Sequence, residues 1–130
     1  MSRSSQATGR EFEAIFADLR ALLEKYADRE SLVVIDDSER RYCLAGGRHP
    51  KHKTPMPLAW VQIGKGYVSF HHMGICSSRN VRHLLSPRLK ARMQGKTCFN
   101  FKTCEPAILE ELDAVTAYAF AALRKAGLLP

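Results

Sequence analysis

The pattern of apolar and polar positions predicts a long helix near each end of this 130-residue chain. Over about 11–27, apolar residues recur every three or four positions from Phe12 to Tyr26, and the acidic residues lie on the other face. This spacing is typical of an amphipathic helix with one apolar stripe. In the last helix, Pro106 suits the first position and Gly127 suits the residue just past the end. Each helix therefore has one face to bury against a second layer.

Between the helices the chain changes to short segments with the character of β-strands. Strands are predicted over Leu32–Ile35, Arg41–Leu44, Leu58–Ile63, Tyr67–Met73 and Thr97–Lys102. These segments are rich in β-branched and aromatic residues or alternate between apolar and polar ones. Asp36-Asp37-Ser38 and Gly64-Lys65-Gly66 are typical of turns. Ser77–Met93 favours one or two short helices, with Pro87 opening the second and Gln94-Gly95 following it.

This order of elements predicts an α+β fold with a largely antiparallel five-stranded sheet, on which the N- and C-terminal helices pack as a second layer. The length fits one domain, which we assign to 9–130 after a disordered N-terminus over 1–8. No apolar run approaches the roughly 20 residues that span a bilayer. The N-terminus also lacks the apolar segment of a secretory signal. We therefore expect a cytoplasmic protein with no membrane partner.

The charged residues are strongly segregated along the chain. Between Arg40 and Lys102 there are thirteen Lys or Arg residues and no Asp or Glu, whereas 1–39 carry five basic and nine acidic residues. Like charges add into a potential that attracts anions whatever the fold. The expected partner is an anionic ligand: a phosphorylated metabolite, nucleic acid or an acidic protein. On this basis we predict a non-catalytic binding module for such a ligand.

The basic segment contains three clusters of cations. They are Arg48, Lys51 and Lys53 in a proline-rich loop; Arg79 and Arg82; and Arg88, Lys90, Arg92 and Lys96. We predict that the third cluster binds the anion, because its cations surround a short helix that leads directly into a strand. Arg88 and Arg92 are four positions apart and would share one helical face. The alternative is a solvated surface that only confers solubility.

Trp60, Tyr67, His71 and His72 are the candidates for lining a ligand pocket. Trp60 and Tyr67 each combine an apolar ring with a polar end, which suits a pocket rim. Aromatic rings among cations are also typical of single-stranded nucleic-acid binding. The sequence nevertheless lacks an RNP1-like motif and a KH-type G-x-x-G loop. The alternative for the aromatic residues of the strands is packing in the core.

No motif assigns a catalytic, metal or cofactor site, and we predict no metal and no cofactor. His71 and His72 are adjacent in a strand and face opposite sides of the sheet, so they do not easily share one metal. The sequence contains no H-E-x-x-H and no paired-cysteine spacing. Cys76 is the one candidate nucleophile that lies near a histidine in the sequence. The chain has no G-x-S-x-G motif that would support nucleophilic catalysis. Catalytic residues are unassigned, and a small enzyme or a pocket-type ligand-binding protein stays open as an alternative.

The segment Ser86–Lys102, SPRLKARMQGKTCFNFK, resembles the C-terminal signature of the YdhG-like family of small proteins of unknown function. YVSFHHM at Tyr67–Met73 and LRKAGLL at Leu123–Leu129 also fit it, and the resemblance covers most of 12–129. The resemblance implies a frataxin-like fold with a sheet flanked by helices. It also implies an iron chaperone as a further alternative, since some members are described so. That role is associated with exposed carboxylates, and 40–102 departs from this pattern because it has none.

Overall fold

The computed structural model describes residues 9–46, 56–77, 81, 83–95, 98–127 and 129. The predicted disordered N-terminus, 1–8, and most of the proline-rich loop, 47–55, lie outside these ranges. The helices are α1 (Gly9–Arg29), α2 (Met73–Ser77), α3 (Pro87–Lys90) and α4 (Pro106–Lys125). The strands are β1 (Val33–Asp37), β2 (Arg41–Gly46), β3 (Met56–Ile63), β4 (Val68–His72), β5 (Met93–Gln94) and β6 (Cys98–Phe101). Within the described ranges, no helix combines the length and apolar character that crossing a membrane requires.

The strands form one antiparallel sheet in the order β1-β2-β3-β4-β6-β5. This confirms the α+β class and the terminal helices, but the sheet has six strands and the prediction of five was wrong. The additional strand is β5, in which Met93 pairs with Phe99 and Gln94 pairs with Cys98. A two-residue strand is too short to show alternation, and Met93 follows Leu89 by four positions, which favours a helix.

The first turn also differs from its prediction. Asp36 and Asp37 continue β1, with a register shift between Val34 and Asp36. Asp36 Oδ2 accepts a hydrogen bond from Arg41 Nη1 at 2.9 Å, so a charge pair links the two strands here. The turn forms at Ser38, whose Oγ accepts from the Arg41 N–H at 3.1 Å. An ion pair across the two strands therefore helps to keep Asp36 in the sheet.

Helices α1 and α4 pack on one face of the sheet and enclose the core. Fully buried residues of this layer include Leu19, Leu23, Leu44, Val61, Phe70, Phe99, Phe101, Leu112 and Phe120. The two helices also contact each other, since the rings of Tyr26 and Phe120 lie 5.4 Å apart and Tyr26 donates a 2.6 Å hydrogen bond to Asp113. As predicted, Pro106 begins α4 and Gly127, with φ of +80°, follows its end.

The opposite side of the sheet carries a different set of residues, which we call the open face. Its members alternate with the core residues along their strands; Cys43, the cross-strand partner of Trp60, is fully buried, and the others are half-buried or exposed: Arg41, Trp60, Gln62, Ser69, His71, Cys98 and Asn100. Trp60, His71 and Cys98 lie side by side in one row, because each is the direct cross-strand partner of the next. Gln62, Ser69 and Asn100 form the neighbouring row in the same way. The sheet thus presents one row with two aromatic rings and one polar row on the side away from α1 and α4.

Candidate functional site: a cleft at the end of the open face

The predicted anion-binding cations do not lie on one helical face. Arg88 and Lys90 are exposed on α3, which ends at Lys90. Arg92 lies in the turn that follows, so the helical relationship expected between Arg88 and Arg92 is not present. Lys96 lies outside the described residues. The two other basic clusters, Arg48, Lys51 and Lys53, and Arg79 and Arg82, lie outside them too.

Lys90 and Arg92 border different depressions of the surface. Lys90 lines one of about 390 Å³ together with apolar residues and His83. Arg92 lines a cleft of about 330 Å³ at the end of the open face. We call this the Tyr67–Lys102 cleft, and its described lining residues are Tyr67, Arg92, Asn100, Lys102 and Thr103. The cleft thus brings together Arg92 from the predicted anion site and Tyr67 from the predicted pocket.

Strand pairing explains why these residues meet. Val68 at the start of β4 is opposite Phe101 at the end of β6. Tyr67 precedes the first of these residues and Lys102 follows the second, so both stand at the same end of the sheet. Tyr67 is 39 % exposed and Lys102 is exposed, so both side chains are accessible to a ligand.

The Asn100 side chain is oriented by its neighbours on the open face. Its Oδ1 accepts hydrogen bonds from Ser69 Oγ at 3.2 Å and from Cys98 Sγ at 3.6 Å. An amide carries one acceptor oxygen and one donor nitrogen group. Because the oxygen is occupied from within the sheet, the Nδ2 donors are the part of Asn100 that is left for a ligand.

Arg92 is held in place by three contacts. Its Nη1 donates to the carbonyl of Thr103 at 2.8 Å, and its guanidinium lies 5.7 Å from the centre of the Phe101 ring. Its Nη2 reaches Glu105 Oε2 only at 3.5 Å. The pKa of the Glu105 carboxyl is held below its usual range by hydrogen bonds from its own backbone N–H and from Thr103, with a contribution from Arg92. Glu105 is therefore ionised at neutral pH and partly offsets the charge of Arg92.

The lining of the Tyr67–Lys102 cleft differs in charge from that of the larger groove beside α1. The larger groove, of about 530 Å³, has Glu13 and Glu39 as well as Arg20 and Arg40 in its lining. None of the described residues that line the Tyr67–Lys102 cleft is acidic. Within the described structure, Lys102 also has no carboxylate partner. An anion thus meets less repulsion in the smaller cleft.

Trp60 and His71 form a ring stack on the open face. Their ring centres are 4.3 Å apart and the planes are inclined by 9°. Arg41 approaches the Trp60 ring to 5.9 Å, and it comes from β2 whereas His71 comes from β4. Since β2 and β4 flank β3 on opposite sides, the indole lies between the guanidinium and the imidazole. Burial lowers the pKa of His71, so the ring stacks as a neutral imidazole at neutral pH.

His72 lies in the core and not on the open face. It is fully buried, and its ring centre is 4.3 Å from that of Phe120 in α4. Its Nδ1 accepts a 3.0 Å hydrogen bond from the N–H of Gly74. Burial lowers its pKa to about 3. The two adjacent histidines therefore face opposite sides, as predicted, and only His71 is near the surface that a ligand reaches.

The described cysteines are free thiols, and burial raises the pKa of Cys43, Cys98 and Cys104. The side chain of Cys76, the candidate nucleophile, lies outside the described part of the chain. So do His49 and His52 of the proline-rich loop. Among the described residues, no three His, Cys, Asp or Glu side chains are grouped in a way that could hold a metal ion.

Sequence reasoning did not single out Asn100, Lys102 and Thr103 as site residues. The alternation in β6 already places Asn100 and Lys102 on the side opposite to Phe99 and Phe101, and this was the available signal. The alternation does not indicate which strands lie beside β6. Tyr67 and Arg92 become their neighbours only through the pairing of β4, β5 and β6.

Comparison of this chain with protein-family models, with curated proteins and with solved structures gives no match.

Proposed function

We propose that this chain is a non-catalytic binding module for an anionic ligand, and that the Tyr67–Lys102 cleft is the binding site. The observation that carries the proposal is the chemistry of the lining. Four of the five described lining residues offer a side-chain donor to a ligand, the Thr103 hydroxyl donates instead to Glu105 at 3.1 Å, and none of the five has a carboxylate. Phosphate and carboxylate groups only accept hydrogen bonds when ionised, so a wall of donors with two cations is suited to them.

The two cations would contribute in different ways. The Arg92 guanidinium is already oriented by Thr103 and Phe101, so it would lose little conformational freedom when an anion binds. Lys102 is exposed and would supply a flexible point charge. The Tyr67 hydroxyl and the Asn100 Nδ2 group are neutral donors, and such groups fix the orientation of a ligand more than they add to attraction.

Lys102→Ala tests the site, because Lys102 has no described structural contact that the change would break. Calorimetric titration with tripolyphosphate at low salt should show an affinity about five- to tenfold below that of the unchanged protein, the range of one charge-assisted hydrogen bond at a solvated position. Folding should be unaffected, which thermal unfolding would verify.

Lys125→Ala is the matched control, since it removes the same charge at the other end of α4. Pro106 and Lys125 are nineteen positions apart, which is about 28 Å along a helix axis. The control should bind tripolyphosphate as the unchanged protein does. Equal losses in both variants would indicate attraction by net charge alone, and no loss in Lys102→Ala would remove the cleft as the site.

Membership of the YdhG-like family and a frataxin-like fold are kept as further proposals, and the anion site does not depend on them. We do not place the iron-chaperone function at this cleft, because iron would need carboxylate or other negatively charged ligands and the described lining offers two cations instead.

A further inference from the structure

We propose that the anion is the backbone of a single-stranded nucleic acid, with a phosphate in the Tyr67–Lys102 cleft and a base stacked on the outer side of the His71 ring. This inference rests on the proposed anion site and adds the class of ligand. It is carried by the position of an aromatic stack directly beside that site on the open face.

Among the described residues, the outer side of the His71 ring has no stacking partner. Arg41 and His71 occupy the two sides of the Trp60 indole. The outer side of His71 faces β6, where its direct cross-strand partner is Cys98, a small and half-buried residue. A planar base above Cys98 would continue the series of guanidinium, indole and imidazole. Stacking on aromatic side chains and on Arg is how proteins hold unpaired bases without reading their sequence.

The spacing of the sheet places this position next to the anion site. Asn100 borders the cleft and lies one row from Cys98, which is about 7 Å along a strand. His71 and Tyr67 are four positions apart, or about 13 Å. Spacings of this order suit a phosphate and a base of the same or the next nucleotide. Between them lie Ser69 and Asn100, whose polar groups can meet the sugar.

Several features favour a single strand over a duplex. The open face is a sheet surface with half-buried rings, and base faces are available for stacking only when a base is unpaired. The burial of His71 also matters, because it keeps the ring neutral, so the imidazole acts through its π-surface and not through its charge. The charge for the phosphate comes instead from Arg92 and Lys102 in the cleft.

The test compares four fluorescently labelled eight-unit probes by anisotropy: oligouridylate, oligothymidylate, an abasic oligodeoxynucleotide with the same phosphates, and a duplex. Base-bearing single strands should bind about tenfold more tightly than the abasic strand, a gain within the range of one stacked base. Either preference between the uridylate and thymidylate probes supports the proposal, because both are single strands that carry bases. Trp60 is the only tryptophan of the chain, so its emission should change with the base-bearing probes.

Variants of His71 distinguish stacking from hydrogen bonding. His71→Ala should lower the affinity for oligouridylate about tenfold, to the level of the abasic strand, and leave the abasic strand unaffected. His71→Phe keeps a ring and should restore binding, whereas His71→Gln keeps a polar group and should not. Tyr118→Ala removes an aromatic side chain that is 58 % exposed on α4, and it should change nothing. If a His71 variant fails to fold, the comparison of base-bearing, abasic and duplex probes on the unchanged protein still shows whether a base contributes to binding.

The two ligands, tripolyphosphate and the base-bearing strand, separate the anion site from the nucleic-acid site. If tripolyphosphate and the abasic strand bind as tightly as the base-bearing strands, the anion site stands and the nucleic-acid proposal is overturned. Equally tight binding of the duplex overturns it as well. If no probe binds and tripolyphosphate does not bind either, the proposed function fails and this inference fails with it.

Discussion

His71 and His72 are neighbours in the chain, yet they belong to different parts of the molecule. Successive side chains of a strand point to opposite faces. His71 therefore stacks on Trp60 on the open face, whereas His72 is fully buried against Phe120. The position of such single residues was predictable from the sequence, because the alternation places His71 and His72 on opposite faces and Asn100 opposite to Phe99 and Phe101.

The buried imidazole of His72 makes stability depend on pH. Its pKa falls from 6.5 to about 3 on folding, so below pH 6.5 the unfolded chain binds a proton that the folded protein excludes. Stability is therefore retained above pH 6.5 and lost as the pH falls towards 3. At pH 4.5 the free energy of unfolding should be about 2 to 3 kcal/mol lower from this residue alone.

Urea unfolding at pH 7.5 and pH 4.5 would measure this effect, with His72→Asn as the comparison. Asparagine offers an acceptor for the Gly74 N–H but does not titrate. The variant should be less stable at pH 7.5, and its loss between the two values should be smaller by about 2 to 3 kcal/mol. The same loss in both proteins would show that His72 is not the group responsible.

Removing the negative charge of Glu105 should strengthen anion binding, whereas removing the positive charge of Lys102 should weaken it. Its carboxylate lies 3.5 Å from Arg92 Nη2 and competes with an incoming anion. Glu105→Gln should raise the affinity for tripolyphosphate about two- to fivefold in calorimetric titration, since it removes one repulsive charge at a largely solvated site. Glu110→Gln removes an equal charge further along α4 and should have a smaller effect. A weaker affinity in Glu105→Gln would contradict the assignment of the cleft.

At the scale of elements, the helix α2 links the open face to the helical layer. The chain passes from β4 directly into α2, and α2 packs against α4 at Gly74. A Cβ atom built on Gly74 would lie well under 3.0 Å from the backbone oxygen of Ala119. Only glycine permits this approach, because a backbone carbonyl within a helix cannot rotate away.

Gly74→Ala should accordingly lower the free energy of unfolding by about 2 kcal/mol or more, through overpacking between α2 and α4. Gly66→Ala is the matched change, since a Cβ there meets no atom within 4 Å, and it should stay within about 0.5 kcal/mol of the unchanged protein. Chemical denaturation of both variants would measure this. Equal stability of the two variants would show that α2 can shift away from α4 without cost.

The elements with a strong period were predictable from the sequence, and those that depend on pairing were not. The predicted helices agree with α1 and α4 to within a few residues, and the hairpin of β3 and β4 was also expected. Strand β5 was assigned to a helix, because two residues carry no period of their own. The cleft was missed for a related reason: Tyr67 and Lys102 are far apart in sequence and meet only because β4 pairs with β6.

At the scale of the whole molecule, the charge segregation of the sequence corresponds in part to the layers of the fold. The acidic flanks form α1, β1 and α4, and the described cations of the basic segment lie in the sheet and its connections. Some of these cations are paired with the flanks, as Arg41 is with Asp36 and Arg92 with Glu105. The number of cations therefore overstates how strongly any one part of the surface attracts an anion. The Tyr67–Lys102 cleft differs from other parts of the surface in the hydrogen-bond donors that lie around Lys102.

Mapping the binding of an anion over the whole chain would show whether the Tyr67–Lys102 cleft is the site. In a titration of the isotopically labelled protein with tripolyphosphate, two-dimensional amide NMR spectra should show saturable shifts concentrated at Tyr67, Arg92, Asn100, Lys102 and Thr103. Amides near Arg88 and Lys90 on α3 should change little, and those of α1 should not change. Shifts concentrated at α3 or in the basic loop over 47–53, with none at the cleft, would show that the anion binds elsewhere.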